Sequence, residues 1–123
     1  MESIIQKGKY CLVTRVSDVP LHKHHCLNGV GLRDFAEKEG LFVYLAWDIH
    51  DNLHTKNAKI KNDLKRIAQF YYELNHTRNE WMMNVHKNYL TTPLTQEELA
   101  SYGLYPFAEE YIIEDYKFCE VKI

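Results

Sequence analysis

The residues of this chain with the clearest chemical potential are two groups of histidines. The first group lies in Leu21–His25, which reads LHKHH, and the second consists of His50 and His54. Imidazole can bind borderline transition metals and can also accept a proton near neutral pH. Because both groups flank one apolar segment, we expect His24 and His50, together with His54, to share one divalent metal ion. A structural histidine cluster without metal is the alternative.

The elements that must bring these histidines together are short strands. Residues 41–45, between the two groups, form an apolar run typical of a buried strand. Residues 10–13 also indicate a strand, and residues 17–20 a turn that leads into Leu21–His25. This order predicts a hairpin with His25 near the end of one arm.

Helices are predicted on both sides of the second histidine group. Asp34 is the predicted N-cap of a short helix over residues 35–39, and Gly40 is its predicted stop. Apolar residues then recur at three- and four-residue steps from Lys56 onwards, which is typical of a five-turn helix with one buried face.

Two capping-box sequences predict the starts of further helices at Thr77 and Thr95. The helix after Thr95 is expected to end at Gly103. Residues 111–123 indicate a terminal hairpin.

Length and composition favour one modest domain. The chain has 123 residues, of which 46% are hydrophobic, enough for a single core. It has no long apolar run, and its first residues lack the layout of a secretory signal. The cysteines Cys11, Cys26 and Cys119 include no C-x-x-C pair, which argues against a disulfide framework. We therefore expect a cytoplasmic protein without a membrane partner.

Charge is distributed unevenly along the chain. Residues 1–90 contain thirteen Lys/Arg and ten Asp/Glu, whereas residues 91–123 contain two and seven. The acidic segment is also rich in aromatic residues, which is atypical of a disordered tail. We expect residues 91–123 to be an ordered extension, packed on a domain formed by residues 1–90. Its acidic surface, including Glu109, Glu110, Glu114 and Asp115, could bind a basic protein partner.

The order hairpin, loop, strand and helix, with histidines at both junctions, is that of the ββα-metal nuclease motif. Residues 9–90 resemble small HNH nucleases encoded by bacteriophages and prophages. The most specific part of the resemblance is the His-His pair followed by a downstream histidine. It implies an α+β fold with a ββα-metal core, following helices and a small C-terminal helix-plus-hairpin extension.

The resemblance also implies roles for individual residues. His24 and His50 correspond to metal ligands, His54 to a second downstream histidine, and His25 to the general base that activates water. One Mg²⁺, Mn²⁺, Ni²⁺ or Zn²⁺ ion is the implied cofactor. Family members have Asn at the position of Leu32, where it orients the catalytic histidine, and Asn28 or Asn52 could replace it.

Two functions from different classes follow. The first is a metal-dependent endonuclease or nickase that hydrolyses nucleic-acid phosphodiesters, with Lys23, Arg33 and Lys59 expected to contact the nucleic acid. The second is a catalytically weak, nuclease-derived protein-binding module, such as a phage inhibitor of a host defence nuclease, that uses the acidic extension.

Overall fold

The computed structural model describes residues 1–104, which form a mixed α+β fold. The predicted terminal hairpin and the acidic residues Glu109, Glu110, Glu114 and Asp115 lie outside the described residues. Strands β1 (Leu21–His25) and β2 (Phe42–Ala46) form a two-stranded antiparallel sheet. In its register His24 lies opposite Val43, and His25 lies opposite Phe42.

The strand predicted for residues 10–13 is wrong. The Cys11 N–H donates to the Val16 carbonyl at 2.8 Å, and the Arg15 N–H donates to the Cys11 carbonyl at 2.8 Å. These bonds close a tight turn in which Arg15 has a φ of 67°, a conformation that does not continue a strand. Leu12 still contacts the sheet, because its N–H donates to the Tyr44 carbonyl at 3.0 Å. The true partner of β1 is therefore β2.

Helix α1 (Leu32–Glu39) connects the two strands and is bounded by glycines. Gly31 is its N-cap at φ 79°, so the prediction of Asp34 as N-cap is wrong. Glycine takes up this left-handed conformation at little cost, which lets the helix begin earlier than Asp34. The predicted stop at Gly40 is confirmed, since its N–H bonds the carbonyls of Ala36 and Glu37.

Two helices follow β2. The short helix α2 (Trp47–Asp51) begins directly after the strand and carries His50. Helix α3 (Ala58–Tyr72) lies within the segment predicted from apolar spacing. The side chains of Leu64 and Ile67 on its apolar face are fully buried.

Helices α4 (Arg78–Val85) and α5 (Gln96–Ser101) complete the described structure. Both predicted capping boxes are present, because Thr77 and Thr95 each accept a hydrogen bond from the backbone three residues later. Helix α5 ends at Ser101, shortly before Gly103.

One hydrophobic core joins the sheet to the helices. It contains Val43 and Leu45 of β2, Leu64 of α3, Trp81 of α4 and Leu99 of α5. Within residues 1–104, no helix has the length and apolar character needed to cross a membrane.

Candidate metal and phosphate site

The two strands place alternate histidines of β1 on opposite faces of the sheet. Residues directly opposite each other in an antiparallel pair share a face. His22 lies opposite Leu45 and His24 opposite Val43, and we call this side the Val43 face. Lys23 and His25 project from the other side, which we call the Phe42 face.

Helix α2 brings His50 to the Val43 face. The Nδ1 atoms of His22 and His50 lie 3.0 Å apart, and the ring centroids of His24 and His50 lie 5.3 Å apart. The position of His50 follows from the chain path, because α2 begins immediately after β2 and its fourth residue turns back towards β1. Three imidazoles therefore meet on one face of the sheet.

Part of this cluster has the geometry to hold a metal ion. Ligand atoms of His22, His50 and Asp51 all lie within 4.8 Å of one another. Two nitrogens each bonded to one ion at about 2.1 Å, at a right angle, are about 3.0 Å apart. The His22–His50 distance matches this spacing, whereas the exposed Asp51 carboxylate needs a small side-chain adjustment to join them.

Burial favours the neutral, metal-binding form of two of these imidazoles, those of His24 and His50. Burial, together with the nearby ring of His50, lowers the pKa of His24 to about 4. Burial, followed by the influence of His22, also lowers the pKa of His50. The Nε2 atom of His24 is buried and has no hydrogen-bond partner within residues 1–104. A buried polar atom in this state is costly unless a ligand satisfies it.

His54 lines the same cleft as His24 and His50 and is close enough to them to contribute to the lowering of their pKa values. It is exposed, and the Lys61 Nζ donates to its Nδ1 at 2.9 Å. Lys59, expected to contact nucleic acid, forms an ion pair with Asp63 at 2.7 Å. The structure thus brings together His24 and His50 of the predicted metal set, with His22 closest to His50.

His25 has a carboxylate partner on the Phe42 face. Its Nε2 lies 2.7 Å from the Glu37 Oε1 of α1, and Lys23 pairs with the same carboxylate at 3.3 Å. The hydrogen bond with His25, and then Lys23, lowers the pKa of Glu37. An ionised carboxylate can only accept, so the Nε2–H donates and Nδ1 remains the proton-accepting nitrogen.

The residue that hydrogen-bonds the His25 ring is Glu37, whereas Asn28 and Asn52 were considered from the sequence. Leu32 is the first residue of α1, and the Asn52 side chain donates to the Asp48 carbonyl. Glu37 lies on the next element of the chain, twelve residues from His25, and no local sequence pattern predicts the hydrogen bond between them. His22 was also missed, although the two-residue alternation of a strand places it on the same face as His24.

A cleft connects the histidines with a group of cations. Its volume is about 420 Å³, and its wall includes His24, His25 and His50. Among residues 1–104, no Asp or Glu lines it, whereas four Lys or Arg side chains do: Lys23, Arg33, Lys61 and Lys65. Such a cleft is suited to an anionic ligand.

Comparisons of the chain with protein-family models, with curated proteins and with solved structures give no match. The function of this protein is therefore inferred from the residues that line the cleft.

Proposed function

We propose that this protein is a metal-dependent hydrolase of nucleic-acid phosphodiesters with an HNH-like ββα arrangement. The observation that carries the proposal is the cleft itself. Neutral imidazoles converge in its wall, and within residues 1–104 its charged lining is entirely cationic. Phosphodiester hydrolysis requires both features, because it needs a site for a divalent ion and positive charge around the phosphate.

The arrangement of the elements supports an HNH-like site. Strands β1 and β2 are antiparallel, and α2 begins at the residue after β2. The His24-His25 pair lies at the end of β1, and His50 lies in α2. These are the junctions at which the resemblance to small phage HNH nucleases puts metal ligands and the general base.

The metal ion in this proposal would be held by His22 and His50, with Asp51 as a carboxylate ligand and His24 beside them. Of these residues, His24 and His50 line the cleft and connect the metal site with it. When bound, a divalent ion supplies Lewis-acid stabilisation of the charge that develops on the phosphate and its leaving oxygen. The imidazole ligands favour Mn²⁺, Ni²⁺ or Zn²⁺ over Mg²⁺, which prefers oxygen ligands.

His25 is the proposed general base. Its Nε2–H bond to Glu37 fixes the ring and leaves Nδ1 free to take a proton from water. The negative charge of Glu37 stabilises the imidazolium that forms, in the way a buried carboxylate supports histidine in other hydrolases. Arg33 at the other end of α1 can hold the phosphate through its side chain in the cleft.

Cleavage assays on a supercoiled plasmid and on a single-stranded oligodeoxynucleotide test this function across Mg²⁺, Mn²⁺, Ni²⁺ and Zn²⁺. We expect cleavage with at least one ion, and a loss of about 10²–10⁴ in rate for His25→Ala with metal affinity retained. His86→Asn is the matched control, because His86 is exposed at φ 68°, which asparagine tolerates, and does not line the cleft. Cleavage by His25→Ala at the parent rate, or no cleavage with any of the four ions, would refute the proposal.

A further inference from the structure

The cations of the described residues fall into two sets. In the first set each side chain pairs with a carboxylate, as in Lys59–Asp63, Arg66–Glu98 and Arg78–Glu73. In the second set the side chains form no ion pair with any carboxylate within residues 1–104; this set includes Arg33, Lys61, Lys65 and Lys87. Three members of the second set, Arg33, Lys61 and Lys65, line the cleft.

Three lysines of the second set, Lys61, Lys65 and Lys87, lie near one another, and two of them lie beside one aromatic ring. Lys61 and Lys65 lie one helical turn apart on α3, about 6 Å along its axis. The Nζ atoms of Lys65 and Lys87 lie 5.6 and 5.3 Å from the centroid of the Tyr89 ring. Tyr89 is partly exposed. A row of positive charge therefore runs from the cleft along α3 to an aromatic side chain.

His54 also contacts this row. It accepts a hydrogen bond from Lys61, which restricts where the ammonium group can lie. Burial and the charges of Lys61 and Lys87 lower the pKa of Lys65. These cations repel one another, and a bound anion would relieve that repulsion.

The size of the cleft distinguishes between forms of nucleic acid. A volume of about 420 Å³ is that of a pocket for one small molecule. It accommodates one nucleotide of a flexible strand, whereas a rigid duplex can present only the backbone on its outer surface. Cationic grooves combined with aromatic side chains are also typical of single-strand binding.

From this arrangement we propose that Lys61, Lys65 and Lys87, with Arg33 in the cleft, bind successive phosphates of a single nucleic-acid strand and lead it to the imidazole cluster. This inference rests on the proposed nuclease function, because it specifies which form of nucleic acid the nuclease would bind. The binding itself requires neither a metal ion nor cleavage.

Fluorescence anisotropy in EDTA tests the inference with a labelled oligothymidylate of about 15 nucleotides. We expect the double variant Lys61→Gln/Lys65→Gln to bind at least about tenfold more weakly at low salt. The slope of log affinity against log salt should also fall by about 1.4, since two phosphate contacts are lost. Lys9→Gln/Lys38→Gln is the matched control, because it removes the same charge from exposed residues outside the cleft.

Two results would overturn the inference: equal losses in the double variant and the control, or tighter binding of a duplex than of the single strand. Thermal melting checks that each variant keeps the parent fold. Lys87→Gln provides an independent measurement outside α3, and we expect a smaller loss of affinity from this single change. Strand binding in EDTA without nicking in any metal would refute the proposed function alone, and nicking of duplex without strand binding would refute this inference alone.

Discussion

On the Val43 face of β1, His22 and His24 lie against the ring of His50, whereas on the Phe42 face His25 and Lys23 lie against the carboxylate of Glu37. Both faces carry histidine side chains, and they differ in the groups that pack against those side chains. The packed imidazoles of His24 and His50 favour the neutral form that binds a metal, whereas the imidazole of His25 is held in one orientation by its hydrogen bond to a carboxylate. Adjacent histidines can therefore have different functions because a strand alternates its side chains.

The largest expected effect concerns the pH dependence of folding on the Val43 face. The pKa of His24 is lowered from 6.5 to about 4 in the folded protein, so the unfolded chain binds the extra proton first. Stability from this group is fully present above about pH 6.5 and is lost as the pH falls through about 4. The shift corresponds to roughly 3 kcal/mol.

Urea unfolding in EDTA at pH 7 and at pH 4 measures this effect. The loss of stability on acidification should be smaller in His24→Gln than in the parent by that amount. Equal losses in the two proteins would show that the ring of His24 is accessible to protons in the native state.

The second effect tests which histidines form the metal cluster. Because the Nδ1 atoms of His22 and His50 are 3.0 Å apart, His22→Ala should lower the affinity for Zn²⁺ or Mn²⁺ by about 100-fold or more. His54→Ala should change it by less than about threefold, because His54 accepts a hydrogen bond from Lys61. Calorimetric titration compares the two variants. A larger loss of metal affinity in His54→Ala than in His22→Ala would support His54, the ligand predicted from sequence, over His22.

The third effect lies on the Phe42 face and separates positioning from metal binding. Glu37→Gln keeps an acceptor for the Nε2–H of His25 but removes the negative charge. We expect nicking to slow by at least about tenfold, less than the 10²–10⁴ expected for loss of the base. Metal affinity should be unchanged, because Glu37 pairs with His25 and Lys23 and is not one of the proposed ligands His22, His50 and Asp51. An equal fall in metal affinity would mean that the two faces are not independent.

The smallest effect is expected for the other partner of Glu37. Lys23 is partly exposed, and its pair with Glu37 spans 3.3 Å at the protein surface. Exposed ion pairs contribute little, so Lys23→Ala should alter the nicking rate by less than about threefold. A larger fall would assign Lys23 to substrate binding, as the sequence predicted.

Local signals in the sequence predicted most of the elements but not their pairing. The capping boxes at Thr77 and Thr95 and the stop at Gly40 were predictable because each depends on neighbouring residues. The pairing of β1 with β2 was not, since it depends on contacts across a connecting helix. The sequence likewise indicated a histidine site, but it identified neither the contact of Glu37 with His25 nor that of Lys61 with His54, because these contacts join different elements of the fold.

The two glycines that bound α1 differ in the space around them. A Cβ at Gly40 would lie 2.5 Å from the Glu2 carbonyl oxygen, whereas a Cβ at Gly31 would have no neighbour within 4 Å. At a rise of about 1.5 Å per residue, Glu37 lies about 4.5 Å from Gly40 and Arg33 about 10.5 Å. A side chain at position 40 would therefore force the backbone apart close to the His25–Glu37 pair, whereas a side chain at position 31 would meet only the cost of its left-handed φ.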